Sequence, residues 1–414
     1  MLGRGNTELW KQVWLKMKTT STAINRLFGS TRSKFILLAI VIGVGHLLVY
    51  STSCGTCNSL FTSFRNKTVV LPALAGTFQP SRADSVQTDD LASPNRTLPP
   101  AQPLPENTSS DARCRARLLS GNNRSGGFID LSAGVITGGS NGRLGNNLME
   151  YATIFGMGIK YNMTAVATPY LLRRIARVFP HTTMPVVADD CVKNFTHISP
   201  ENFEAMNDTQ RRKGKWNISY YLHRIRTFWY YREDLLKEFR FRHDLTKYAN
   251  MLLRRVAAGR SNVTFVGVHV RRTDFVNHMQ NFFHGHLVKA SFFHSAMSLC
   301  RKRYNNPAFI VTSDDKQWCR QHLSAPDVHF LGDPRSESPG VERDLALLAA
   351  CNHTIFDYGT YGFFAAFLAG GDMILADGVS EIESEEVAEL REGKINATFI
   401  DGNGRVLPRC VRCS

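Results

Sequence analysis

From residue 263 to 376 the chain alternates short apolar runs with longer segments of helical spacing. The runs are VTFVGVHV, AFIVTS, VHFL, HTIFD and DMILA. Between them stand ASFFHSAMSLCRKRY, KQWCRQHL, RDLALLAAC and FFAAFLAGG. Apolar runs of about four to eight residues, rich in β-branched side chains, suit strands buried on both faces. Strand–helix–strand alternation leaves little choice but a parallel sheet covered by helices, and ligands of such sheets bind beyond the carboxyl ends of the strands. Arg271, Asp314 and the turn at Gly359 each follow such an end.

A similar unit precedes this one. FIDLSAGVITGG suggests one or two short strands, and Gly138, Gly139, Gly142 and Gly145 punctuate the next loop. Leu144, Leu148, Tyr151, Ala152, Phe155 and Ile159 then recur at helical spacing, and TAVAT (Thr164 to Thr168) reads as a strand. Residues 200–260 read as polar, aromatic and mostly helical. The expected architecture is α/β, with Rossmann-like units at 126–260 and 261–414.

The first 125 residues differ in kind. Residues 1–34 hold seven Lys/Arg against the single acid Glu8, and an uncharged apolar run, Phe35 to Tyr50, follows. With Ser51 to Ser53 it reaches the length of a short transmembrane helix. The basic flank lies before it, so the tail is expected in the cytoplasm and the rest in the lumen. No small-x-small cleavage site follows directly, which favours an anchor (35–53) over a cleaved signal peptide. Residues 54–125 are rich in Pro, Ser and Thr and read as a stalk.

Nine cysteines and many N-x-S/T sequons agree with a lumenal setting. Disulfides are the default expectation for Cys114, Cys191, Cys300, Cys319, Cys351, Cys410 and Cys413, with pairing open. Cys54 or Cys57 could join two chains at the membrane. The net charge of +15 raises nucleic acid as a partner, but no basic run with interleaved aromatics lies beyond the tail, so none is expected.

Three motifs could carry chemistry. GGSNGRLGNN spaces Gly139, Gly142 and Gly145 as G-x-x-G-x-x-G, yet the region after the next strand, ATPYLLRR, lacks the acid that a dinucleotide fingerprint requires. The loop could instead bring backbone and Arg143 to a phosphate, or be a plain packing turn. GTYGFF offers a second glycine turn at a helix start. GVHVRRTDF ends a strand with His269, Arg271, Arg272 and Asp274. Adjacent arginines point to opposite sides of extended chain, so one could face a cleft while the other pairs with Asp274. No two Asp residues are spaced as D-x-D, which disfavours that kind of metal site.

GRLGNNLMEYATIF, GVHVRRTDF, FIVTSDDKQWC and CNHTIFDYGTYGFFAAFLAGGDMI together resemble, in order and spacing, the successive motifs of galactoside α-1,2-fucosyltransferases. H-x-R-R-x-D is shared with α-1,6- and protein O-fucosyltransferases. The resemblance implies a GT-B architecture, two facing Rossmann-like domains with the site between them. It implies GDP-L-fucose as donor, the 2-hydroxyl of a β-galactose as acceptor, inversion, no required cofactor or metal, and a single-pass type II Golgi protein. It implies that Arg271 binds the β-phosphate, that Arg272 and Asp274 complete the motif, and that His269 meets the guanine–ribose end. Asp344 would hold guanine. Gly359, Thr360, Tyr361 and Gly362 would contact phosphate, and Arg143, Gly145 and Asn146 would approach from the opposite domain. For the general base, Asp274 comes first, then His278, His284 or His286. In the α-1,6 relatives an acid follows the motif, and Met279 stands near that place here. A fucosyltransferase of other linkage and a non-catalytic glycan-binding protein are the rival readings.

Overall fold

A computed structural model describes residues 114–120, 124–139, 141–218, 221–333 and 339–408. The tail, the expected membrane segment, most of the stalk, and Cys54, Cys57, Cys410 and Cys413 lie outside the described residues.

β1 (Arg115–Ser120) and β2 (Arg124–Asp130) form an antiparallel ribbon. β1 falls inside the range assigned to the stalk, so regular structure begins earlier than composition suggests. Ala116 of this ribbon is fully buried, and a Cys114–Cys191 disulfide ties its start to the body. β3 (Val135–Gly138), β4 (Thr164–Ala165), β6 (Thr196–Ile198) and β7 (Lys215–Ile218) make a parallel sheet in the order β4-β3-β7-β6, while β5 (Val186–Val187) pairs with β1. The strand expected over Thr164 to Thr168 stops at Ala165, because Thr168 caps the next helix through the Leu171 N–H and Pro169 opens it. Asn217 sits in β7 at 5% exposure, so its sequon is closed to a glycan.

The second sheet is parallel throughout. Its strands are β8 (Thr264–Val270), β9 (Pro307–Ser313), β10 (Val328–Phe330), β11 (His353–Phe356), β12 (Met373–Ala376) and β13 (Thr398–Ile400), in the order β10-β9-β8-β11-β12-β13. This is the doubly wound order, whose connections run outward in both directions from the middle. Period-two alternation splits its side chains cleanly. Val266, Val268, Val270, Phe309, Val311 and Ile355 face one core, and Ile310, Phe356, Leu375 and Phe399 face another.

That second core is shared with the first sheet's helices. α1 (Leu144–Tyr161) packs against α5 (Gly359–Ala369), and α2 (His243–Ala257) against α4 (Gly340–Ala349). α3 (Phe275–Phe282) lies between α2 and α4 in sequence, near the end of β8, and α6 (Glu385–Glu392) follows α5. Phe228 stands 5.8 to 6.2 Å from the rings of Phe363, Phe364 and Phe367. Apolar α5 is therefore enclosed by both halves.

Cys300, Cys319 and Cys351 are free thiols, against the disulfide expectation. Each is buried in the core among apolar neighbours, and burial pushes the Cys300 thiol up to about 12 and the Cys319 thiol up to about 11. Such thiols are inert rather than redox-active.

Candidate active site

β8 and β11 are neighbours at the centre of the six-stranded sheet, where the direction of winding reverses. A ligand crevice belongs at their carboxyl ends. Two carboxylates fix the main chain there. Asp357, directly after β11, accepts the Arg271 N–H at 2.6 Å and the Tyr358 N–H at 2.9 Å. Asp314, directly after β9, accepts the Arg272 N–H at 2.9 Å and the Thr273 hydroxyl at 2.7 Å. The turn after β8 is thus held between its two neighbouring strands. Burial pushes the Asp357 carboxyl up to about 8, against the pull of its N–H donors. Sequence alone places Asp314 at the ligand-binding edge but gives it no role, and it does not single out Asp357. The signal was an Asp at the first place after each strand that flanks β8.

The two arginines diverge, as the extended chain suggested, and the structure shows which of them takes Asp274. Arg271 holds Asp274, with its Nη2 2.9 Å from both carboxylate oxygens, and its buried Nε has no hydrogen-bond partner. Arg272 turns the other way. Its guanidinium lies 3.8 Å over the Trp318 ring, Nη1 donates to the Val288 carbonyl, and Nε is 3.6 Å from Asp315. Arg272 braces the scaffold and leaves the crevice to Arg271. His269 is 7% exposed, with its ring centroid 5.0 Å from that of Tyr361 and its Nδ1 3.8 Å from Asp357. Burial, and then the Arg271 charge, push its pKa down to about 3, so the imidazole is neutral.

The glycine loop of the first half reaches the same place. Arg143 Nη2 lies 2.8 Å from Asp274 Oδ2, and the Thr360 hydroxyl donates to Asn146 Oδ1 at 2.6 Å. A Cβ on Gly145 would stand 2.5 Å from the Tyr361 nitrogen and 2.6 Å from Thr360 Oγ1, so only glycine allows this approach. Gly142 has φ +76, and the Asn146 amide fills the space where its Cβ would be. Buried Asn147 donates to the Asn141 carbonyl, and Arg174 donates to Asn147 Oδ1 and to the Gly142 carbonyl. Nothing in the sequence singled out these two braces.

The N-termini of α1 and α5 meet here, and neither first turn carries a side-chain cap. Gly359 has φ +85 with open space on its Cβ side. Two helix ends with free N–H groups, together with Arg143 and Arg271, make a strongly anion-attracting crevice.

Residues 130–396 match the sequence profile described as Glycosyl transferase family 11. The chain belongs to this family. It is 35% identical over 250 residues to galactoside alpha-(1,2)-fucosyltransferase 2 of Rattus norvegicus, covering 58% of this chain and 69% of that protein. It is 33% identical over 291 residues to galactoside alpha-(1,2)-fucosyltransferase 1 of Saimiri sciureus, covering 66% and 73% respectively. Among solved structures, that of the NodZ alpha-1,6-fucosyltransferase soaked with GDP-fucose aligns with a TM-score of 0.37 at 17% identity, over 56% of this chain and 91% of that one.

In this family 11 glycosyltransferase, Asp344 on α4 accepts the Asp333 N–H at 2.7 Å beside the exit of β9. Burial pushes its carboxyl up to about 7. Tyr361 donates its hydroxyl to the Val341 carbonyl at 2.7 Å, locking α5 to α4. Gly362 lets that helix start against Phe356, whose Cβ would be 2.7 Å from a side chain there. His278 is exposed on α3, one turn beyond Asp274, with its ring 4.8 to 5.4 Å from the rings of Phe275, Phe282 and Phe283. Partial burial, then the Arg271 charge, lower its pKa. His284 lies 3.5 Å from Glu381, and His286 Nδ1 lies 3.2 Å from the Leu287 carbonyl, both in the loop beyond α3. Met279 is buried at 3% exposure and packs in the core.

A second ionic cluster joins the halves, and its Glu386 also acts on His278. His223 Nδ1 lies 2.8 Å from Glu385 and 3.6 Å from Glu386, while Arg226 donates to both oxygens of Glu389. Arg224 faces Glu201, Glu204 and Glu389. Burial pulls the His223 pKa down, but Glu385, Glu386 and Glu389 outweigh it, and the net shift is upward from 6.5. A raised folded-state pKa contributes stability that is complete below about 6.5 and is lost as pH rises through the folded value. The chain is therefore expected to melt a few degrees lower at pH 8 than at pH 6, with His223→Gln shrinking that difference. Thermal melts of both proteins at the two pH values check this, and an unchanged difference in the variant removes His223 as its source.

Proposed function

We propose that this glycosyltransferase moves L-fucose from GDP-L-fucose to the 2-hydroxyl of a terminal β-galactose, with inversion. The observation that carries the reading is the meeting of Arg143, Arg271 and two uncapped helix N-termini at the switch point of a doubly wound sheet. Departure of a nucleoside diphosphate needs that charge, and electrostatic stabilisation of this kind is the largest catalytic contribution in most enzymes. The acceptor and linkage rest on similarity to the galactoside α-(1,2)-fucosyltransferases.

In the step, the bond from fucose C1 to the β-phosphate oxygen breaks and its electron pair stays on GDP. The galactose O2 forms the new bond to C1 from the opposite face, and its proton passes to a base. We assign the base to His278. It is exposed, and partial burial with the Arg271 charge lowers its pKa, which favours the neutral, proton-accepting form. Asp274 has both carboxylate oxygens engaged by Arg271, and one of them by Arg143 as well, so it is not free to meet the acceptor hydroxyl. The two halves correspond to a GT-B pair with the donor on the 261–414 side. Asp344 is the carboxylate suited to the guanine N1–H and amino group. A Golgi membrane location with the catalytic head in the lumen is part of this reading, supported by the apolar run after the basic tail and by the resemblance to the α-1,2-fucosyltransferases.

Incubation of the full-length chain in detergent with GDP-fucose and a small β-galactoside, with and without EDTA, tests the reading. The expected result is an α-1,2 product by NMR that survives EDTA. Another linkage, or hydrolysis without transfer, overturns the acceptor assignment. His278→Gln is expected to lose turnover while keeping GDP affinity, and normal turnover in it removes the base assignment.

A further inference from the structure

We infer that Asp274 is a built-in stand-in for the donor's diphosphate, occupying its seat in the empty enzyme and yielding it when donor binds. The inference rests on the donor assignment above and says how that site is regulated.

The carboxylate is shared by two arginines from different halves. Arg271 Nη2 meets both oxygens at 2.9 Å, and Arg143 Nη2 meets Oδ2 at 2.8 Å. Both guanidiniums lie where the N-termini of α1 and α5 converge. Without an anion, two like charges and two positive helix ends would face one another, and Asp274 supplies that anion. It does so weakly. The side chains of Arg143 and Asp274 are 69% and 43% exposed, and solvent-screened pairs of this kind contribute little. Asp274 is the N-cap of α3 yet makes no side-chain cap bond, so its carboxylate is not committed elsewhere. A diphosphate brings more charge and more acceptor oxygens to the same donors, so it displaces the carboxylate on entry. When GDP leaves, the carboxylate returns and assists its release.

A merely structural Asp274 would weaken GDP binding when removed. A competing Asp274 does the reverse. Calorimetric titration of the full-length chain in detergent with GDP is the test, on wild type, Asp274→Asn and Asp274→Ser. Ser keeps a good helix N-cap. Both variants are expected to bind GDP about three- to tenfold more tightly, the range set by losing one exposed and one half-buried ion pair as competitors. GDP should also inhibit residual transfer at correspondingly lower concentration. Unchanged or weaker GDP binding in either variant, with a wild-type melting curve, overturns the inference. If wild type itself binds no GDP, the donor assignment has failed first and this inference with it, an outcome visible before any variant is made.

Discussion

Arg271→Ala is expected to lower kcat/KM for fucose transfer by roughly 10²–10³-fold, the usual cost of removing one preorganised donor from a developing anion. The loss should fall mainly on kcat, because the charge on the leaving diphosphate grows in the transition state. Arg271 stands at the end of the central strand, and its buried Nε has no hydrogen-bond partner. Its backbone is fixed by Asp357 rather than by its own side chain, so the variant should keep its fold. Arg271→Lys should recover only part of the rate, since an ammonium gives charge without the planar fork. Steady-state kinetics with varied GDP-fucose measure both variants. Near-normal turnover in Arg271→Ala would remove Arg271 from the phosphate site.

Gly145→Ala is expected to cost at least about 10²-fold in activity, although it adds one methyl group. That methyl would lie 2.5 Å from the Tyr361 nitrogen and 2.6 Å from Thr360 Oγ1. The first contact is backbone, so relief requires either moving the first turn of α5 or pushing the two halves apart. Either movement separates Arg143 from Arg271 and breaks the Asn146–Thr360 bond. GDP affinity should fall together with kcat. Gly127→Ala, where a Cβ meets nothing within 4 Å, is the control and should be neutral. A Gly145→Ala protein with unaltered GDP affinity and turnover would mean that the close approach is not needed for catalysis.

The strands that follow residue 263 were legible because they are buried on both faces and rich in β-branched residues, as VTFVGVHV is. β7 was not. KWNI is short and begins with a charged residue, and only its place between β3 and β6 makes it a strand. It lay within a stretch read as mostly helical. Of the site, the motif residues Arg143, Gly145, Asn146, Arg271, Asp274 and Thr360 do come together. Sequence could not show which arginine takes Asp274, because strand alternation says that neighbours diverge but not toward what. Nor could it show that Asp274 would also be held by Arg143, a contact across 131 positions of chain. The free thiols of Cys300, Cys319 and Cys351 carry a similar lesson. A lumenal setting would favour disulfides, but these three cysteines are buried among apolar side chains and none is bonded to another.

The enclosed helix α5 has an evolutionary consequence. Its buried phenylalanines belong by sequence to the half after residue 260, yet Phe363, Phe364 and Phe367 all touch Phe228 of the other half. The halves are therefore poor modules. A chimaera joined near residue 260 would bring one parent's α5 against the other parent's α1, and its interior volumes would mismatch where exchange is least forgiving. New acceptor preferences in such a lineage should arise through change in the surface loops around the crevice, and seldom through swapping one half for another.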